Sequence, residues 1–250
     1  MFILAEYDYK AGKKRVQGIL NNKLEVVEQG RLPSDENLTF DNGYYSWVSA
    51  IFVDMRNSST LFADGNKQKV SKIIRCFTSE LIEILRHGDD LREIGIRGDC
   101  VYAIYTTPKP ADEYELADKT FYINTYMNML NTQLKNKNYP TIEVGIGMAT
   151  AQELVVKAGR KGVDINNKVW IGEAVTTAAN LSSLGNRNGV NSLVYSKSSY
   201  TNFIDTLVEN NGTKANGWFK AVVSQKYGTY YHANITKTTF NNWINTGMND

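Results

Sequence analysis

An apolar run that ends in an acid constrains this chain more than any other feature. Ala50-Ile-Phe-Val-Asp54 is followed by Met55, Arg56 and Asn57, then the hydroxyls Ser58, Ser59 and Thr60, then a helical pattern. That order reads as a buried strand, an exposed tip and a helix capped by Ser58 or Ser59. Asp54 falls where the strand runs out. A second stretch, Ile94-Gly-Ile-Arg-Gly-Asp-Cys-Val-Tyr102, reads as a hairpin turning at Gly98-Asp99. Two acids at the ends of neighbouring buried strands are costly unless something cationic neutralises them. A pair of divalent cations does that and also prepares a site for phosphoryl transfer.

The rest of the chain sets the bounds. With 250 residues, 42% of them apolar and 11% aromatic, it can bury one substantial core. We expect one domain over residues 44–250, preceded by an appendage and loop over 1–43. A net charge of +2 gives no basic footprint for nucleic acid, so no nucleic-acid partner is expected. No apolar run reaches membrane-spanning length and no signal peptide is visible, which points to the cytoplasm. Cys76 and Cys100 read as reduced core residues, and His87 and His232 are isolated.

Residues 2–9 and 16–20 read as a strand and a short helix, and the polar segment 21–41, with Pro33, as a loop reaching the core. Tyr44-Tyr-Ser-Trp47 leads into a central strand over 47–54. Val70, Ile73, Ile74, Phe77, Leu81, Ile84 and Leu85 recur at helical spacing, ended by Gly88. A hairpin over 91–106 is followed by Pro108, Pro110 and a second helix marked by Leu116, Phe121, Met127, Leu130 and Leu134. Residues 142–148 read as a strand with 153–157 as its hairpin partner, 158–168 as a loop, and 169–181 as a turn feeding a helix. A strand at 192–195, a β pair within 218–235 and a short helix at 240–244 complete the pattern. Such interleaving predicts an α+β sandwich, a mostly antiparallel sheet with helices packed on one face.

Four motifs carry a resemblance. Phe52-Val-Asp-Met-Arg-Asn-Ser-Ser59, Gly98-Asp99, Val144-Gly-Ile-Gly-Met148 and Gly172-Glu-Ala-Val-Thr-Thr-Ala-Ala-Asn-Leu181 occur in that order. Together they resemble the catalytic domain of class III nucleotidyl cyclases. Asn42-Gly-Tyr-Tyr-Ser-Trp-Val-Ser49, Arg56 and Tyr7-Asp-Tyr-Lys10 make the chain most similar to the pyrimidine (uridylate and cytidylate) cyclases of the bacterial Pycsar antiphage system.

The resemblance implies a ferredoxin-like sandwich assembled as a head-to-tail homodimer with active sites at the interface. It implies that Asp54, Asp99 and the Met55 carbonyl bind two Mg²⁺ or Mn²⁺ ions, and that the N–H groups of Asn57, Ser58 and Ser59 cradle the outer phosphates. The departures narrow this further. The position where purine cyclases of the family carry a base-reading Lys is Gly95, and the partner acid's position is Val169. Without those polar groups nothing in the usual places reads a purine, and Tyr44, Tyr45 and Trp170 offer flat walls for a smaller base. The usual transition-state Asn and Arg are Thr176 and Asn180, and a phosphate-holding Arg is Glu143. We expect Arg56 or Arg97, each two residues from a metal acid, to supply the missing charge. Lys157, Arg160 and Lys161 are further candidates.

The activity implied is conversion of UTP, or CTP, to its 3′,5′-cyclic monophosphate as an alarm signal during phage infection, sensed by a separate effector. The alternatives are a purine cyclase with an atypical base pocket and a degenerate, non-catalytic nucleotide-binding module.

Overall fold

The structure, a computed structural model, describes residues 6–63, 66–162 and 164–249. In chain order its elements are α1 (Tyr9–Leu20), β1 (Glu25–Glu28), β2 (Asn42–Met55), α2 (Ser58–Ala63), α3 (Lys67–Leu85), β3 (Leu91–Arg97), β4 (Cys100–Thr106) and α4 (Pro110–Asn136). There follow β5 (Val144–Arg160), β6 (Ile165–Gly172), α5 (Ala174–Leu184), β7 (Leu193–Ser196), α6 (Lys197–Asn211), β8 (Lys220–Ser224), β9 (Gly228–Ala233) and α7 (Thr238–Asn245).

The architecture is an α+β sandwich of the kind expected, one mixed sheet with helices packed on it. The strands run in the order β3-β4-β2-β5-β7-β9-β8, with β1 added to β2 and β6 added to β5. The pairings are mostly antiparallel, the exceptions being β1 with β2 and β5 with β7. β2 sits at the centre because it can be buried on both faces. Its odd positions Ile51, Val53 and Met55 join the main core with Phe77 and Leu81 of α3, Phe121 and Leu130 of α4, and Phe203 of α6. Its even positions Val48 and Ala50 pack on the other face with Ile104, Ala149 and Ala178. Period-two burial of this kind fixes register, since a slip of one residue would turn Asp54 into the core.

Several sequence expectations need correction. Residues 142–148 and 153–157 do not form a hairpin; all but 142 and 143 belong to one 17-residue strand, β5. Within the expected loop 158–168, residues 158–160 end β5 and 165–168 begin β6. The helices do not all lie on one face. α5 packs against the Asp54 face, where Gly145 and Gly147 of β5 let its backbone come so close that a Cβ at either would strike Ser182 or Ala178. Residues 9–20 are helix α1, capped by the Asp8 carboxylate accepting from the Ala11 N–H at 2.9 Å. Part of the strand expected over 2–9 lies outside the described residues. Cys76 is exposed on α3, not in the core, and Cys100 is half-buried.

Candidate active site

β2 carries Asp54 to one end of the sheet. There it stands opposite Cys100 of β4 and Gly145 of β5, and Cys100 stands opposite Arg97 of β3. Residues paired across strands share a face, so Asp54, Cys100 and Arg97 form one row. Arg97 is exposed at the tip of that row. The β3–β4 connection has two residues, with a positive φ of 65° at Gly98 and none at Asp99, the pattern of a II′ turn. It sets Asp99 beside the row, and the Asp99 carbonyl accepts the Met55 N–H at 3.3 Å. Two acids far apart in sequence therefore converge.

Burial pushes the Asp54 carboxyl above the usual carboxylate range. Arg56 pulls it back, the nearby Asp99 charge raises it again, and Arg187 lowers it. Such a pair of carboxylates has affinity for cations. The Cys100 thiol between them is pushed up to about 12, chiefly by burial, and is no thiolate ligand at neutral pH.

Arg56 takes a different part from the one its spacing suggested. Only 5% of it is exposed. One Nη donates to Asp54 Oδ2 at 2.7 Å, to the Asp54 carbonyl at 3.1 Å and to the Ser182 carbonyl at 2.7 Å. The other Nη donates to the Ser183 carbonyl at 2.9 Å. The Ser182 and Ser183 carbonyls belong to the last turn of α5, which carries the negative end of the helix dipole, and Ser182 also accepts the Gly185 N–H at 3.3 Å. Arg56 thus clamps the Asp54 end of β2 to the C-terminus of α5. The chain turns at Asn57, whose φ is 52°, and α2 begins. The N–H groups of Asn57, Ser58 and Ser59 find no acceptor among the described residues, while those of Thr60 and Leu61 return to the Asn57 carbonyl. At the other end of α5, the buried Glu153 carboxylate accepts the Ala174 N–H at 2.5 Å.

Farther along the same face the next row runs Gly95–Tyr102–Phe52–Gly147. Gly95 lies two residues before Arg97 on β3, so its row is about 7 Å from the Asp54 row. Trp170 of β6 also reaches this face, donating from Nε1 to Glu93 Oε2 at 2.8 Å. Tyr44 lies on it too, packed with Trp170, Leu32 and Leu38. Tyr45 and Val169, by strand alternation, lie on the opposite face and are not brought to Asp54 within this chain. Thr176 and Asn180 sit one turn apart on α5, the first exposed and the second half-buried. Lys157 is at the far end of β5, its Nζ 5.8 Å from the Phe40 ring centroid. Arg160 and Lys161 lie beyond it, exposed.

Sequence reasoning missed Arg187, Glu93 and Tyr102. Arg187 lies in the loop after α5, which Asn186 ties to the Val144 carbonyl at 2.8 Å, and its charge reaches Asp54. Nothing in the linear spacing signals that approach. Glu93 and Tyr102 were readable in principle, since alternation puts both on the Asp54 face.

The chain belongs to the adenylate and guanylate cyclase catalytic-domain family, whose model matches residues 41–212. That makes it an enzyme of the phosphorus–oxygen lyase class, a nucleotide cyclase. It is 52% identical over 252 aligned positions to the uridylate cyclase of Treponema porcinum, covering 99% of this chain and 84% of that one. It is 28% identical over 249 positions to the uridylate cyclase of Gulbenkiania mobilis, covering 95% of each. Among solved structures, the adenylyl cyclase CyaB of Pseudomonas aeruginosa superposes with a TM-score of 0.61 at 16% identity, covering 78% of this chain and 97% of that one. A class III adenylyl cyclase-like ATP-binding protein of the same organism gives 0.66 at 14% identity, over 94% of this chain and 48% of that one. At such identities these two likenesses speak to fold alone.

Proposed function

We propose that this chain cyclises UTP, with CTP the next candidate, to the 3′,5′-cyclic monophosphate and pyrophosphate. The ribose 3′-oxygen loses its proton and bonds to the α-phosphorus, and the bond from that phosphorus to the pyrophosphate oxygen breaks. The observation that carries the reading is the convergence of Asp54 and Asp99 at one strand end, beside the N–H groups of residues 57–59, which have no acceptor among the described residues. Gly95, which puts no hydrogen-bonding side chain on the Asp54 face, and the match to uridylate cyclases favour a pyrimidine.

The residues present fit a pair of Mg²⁺ or Mn²⁺ ions: two carboxylates, one held high by burial and by its neighbour's charge, with the Met55 carbonyl alongside. Bound there, such ions would supply charge neutralisation and Lewis acidity at the α-phosphate. The chain's own groups do the rest. Arg56 fixes the rotamer of Asp54, and the N–H groups of 57–59 take outer phosphate oxygens. Arg97 and Arg187 are exposed cations at the same end. Thr176 and Asn180 on α5 stand in for the family's transition-state pair.

We place the site at the interface of a head-to-tail homodimer, so that the metal acids of one chain face the Gly95–Trp170 surface of the other. The opposite face of the same strands carries an exposed apolar patch, which supports association of two copies. The cross-strand rows Val26–Gly43–Val156–Val169 and Glu28–Tyr45–Leu154–Ile171 lie side by side, with Ile171 51% and Val169 39% exposed. The similarity to the Pycsar pyrimidine cyclases supports a cytoplasmic alarm-signal role read by a separate effector. Among the described residues no helix is long and apolar enough to cross a membrane. Incubating the protein with each of the four common nucleoside triphosphates and Mn²⁺, and separating the products, tests the reading. Cyclic UMP is expected; a cyclic purine nucleotide, or no cyclic product from any of the four, would refute it.

A further inference from the structure

Tyr102 of β4 stands between Phe52 of β2 and Gly95 of β3, on the face that carries Asp54. Its ring stacks on Phe52 with centroids 5.2 Å apart and planes 15° from parallel. Toward β3 it leaves no room: a Cβ on Gly95 would lie 2.7 Å from its Cζ and Oη and 2.8 Å from Cε1. The ring therefore occupies the volume that any side chain at position 95 would need.

It is also held in place. Tyr102 Oη donates to Glu93 Oε1 at 2.7 Å, and Trp170 Nε1 donates to Oε2 of the same carboxylate at 2.8 Å. One acid thus fixes an aromatic from β4 and another from β6. Lys168 Nζ reinforces the closure by donating to the Arg92 carbonyl at 2.6 Å. Burial, and then Glu93, push the Tyr102 phenol up to about 12, so it stays a neutral donor across the physiological range. A side chain tied at its tip and stacked along its face cannot swing aside cheaply, because a shift breaks both contacts at once.

We propose that Tyr102, pinned by Glu93, sets nucleobase size in this enzyme, filling the space a purine would need and leaving room for a single pyrimidine ring. This rests on the reading above that the nucleotide base is held on this face. Steric exclusion suits the residues here, because Gly95 offers no hydrogen-bonding side chain and the Glu93 carboxylate and Trp170 N–H on this face already bond each other. Glu93 is a positioning residue in this account: it acts through the ring.

The test is kcat/KM for UTP, CTP, ATP and GTP on the full-length protein, comparing wild type with Tyr102→Phe, Tyr102→Leu and Tyr102→Ala. Tyr102→Phe keeps the ring and is expected to hold the wild-type purine-to-pyrimidine ratio within about threefold. Removing the ring is expected to raise that ratio by about tenfold or more, the scale of discrimination by pocket volume. Tyr102→Leu keeps an apolar partner for Phe52, so it reports even if the Ala variant is too unstable to purify. A wild-type preference for pyrimidines with an unmoved ratio in folded Leu and Ala variants would overturn the role of Tyr102 alone. A wild-type preference for a purine would overturn both this and the pyrimidine reading.

Discussion

Replacing Arg56 with Ala should destabilise the protein before any nucleotide is added. The wild-type guanidinium makes three contacts of 2.7–2.9 Å, to Asp54 Oδ2 and the Ser182 and Ser183 carbonyls, and one of 3.1 Å to the Asp54 carbonyl. Its removal takes the donor from the Ser183 carbonyl in a tightly packed place, costing about 1–3 kcal/mol if water cannot reach it, while the Ser182 carbonyl keeps the Gly185 N–H at 3.3 Å. It also leaves Asp54 without its cation. Breaking a fully buried pair costs about 3–5 kcal/mol, but the Asp54 side chain is 29% exposed, so screening by water cuts this to about 1 kcal/mol. We expect a total loss of about 3 kcal/mol, lowering Tm by about 6–12 °C for a chain of this size. Arg56→Lys keeps a charge but not the fork, and should recover less than half of that. Urea titration and thermal unfolding of the nucleotide-free protein measure both. If Arg56→Ala unfolds like wild type and yet has lost turnover, Arg56 contacts substrate and the clamp reading is wrong.

Other expectations follow from the same coordinates. Glu113 is buried in a cluster of hydroxyls, accepting from Ser49 at 2.9 Å and Thr150 at 2.7 Å, and burial holds its carboxyl up at about 7. An acid raised in the folded state contributes its stability below the unfolded pKa of 4.5 and loses it as pH rises toward 7. Urea unfolding should therefore find wild type about 2–3 kcal/mol less stable at pH 8 than at pH 5 relative to Glu113→Gln, and no such difference would refute the assignment. Ile171→Asp places a charge on the exposed apolar face and should shift the protein to monomer in analytical ultracentrifugation, with turnover falling in step; an active monomer would end the shared-site account. Arg187→Ala should lower kcat/KM for UTP by about tenfold, one charge-assisted contact's worth, while leaving unfolding unchanged within about 0.5 kcal/mol.

Much of this was legible in sequence where burial alternates. Residues 47–54 and the hairpin at 91–106 are readable because most of their apolar positions alternate onto packed layers, Trp47 and Ile96 being the exposed exceptions, and Gly98 marks the turn of the hairpin. β5 read as two pieces because Thr150 interrupts its apolar run. In the fold that hydroxyl is buried with Ser49, Glu113 and Ser199, a polar cluster that only tertiary contacts can satisfy. α6 went unread although Tyr200, Phe203, Ile204 and Leu207 carry the helical period and Ser196 caps it through the Ser199 N–H at 3.1 Å. Arg56 shows the limit most clearly. Its spacing from Asp54 pointed to the carboxylate it does meet, but no local pattern could show that α5 would bring two carbonyls to the same guanidinium. The glycines at 145 and 147 were the available sign that a helix approaches there.

Turnover of UTP by Asp54→Asn and Asp99→Asn, measured under saturating Mn²⁺ beside wild type, bears on the core of the account. Each change removes one negative charge at nearly constant shape. Wild type should release cyclic UMP and pyrophosphate in equal amounts, and each folded variant should fall by at least about a hundredfold, the loss of roughly 3 kcal/mol of transition-state stabilisation. Either variant cyclising UTP at close to the wild-type rate would show that these two carboxylates do not hold the reaction together.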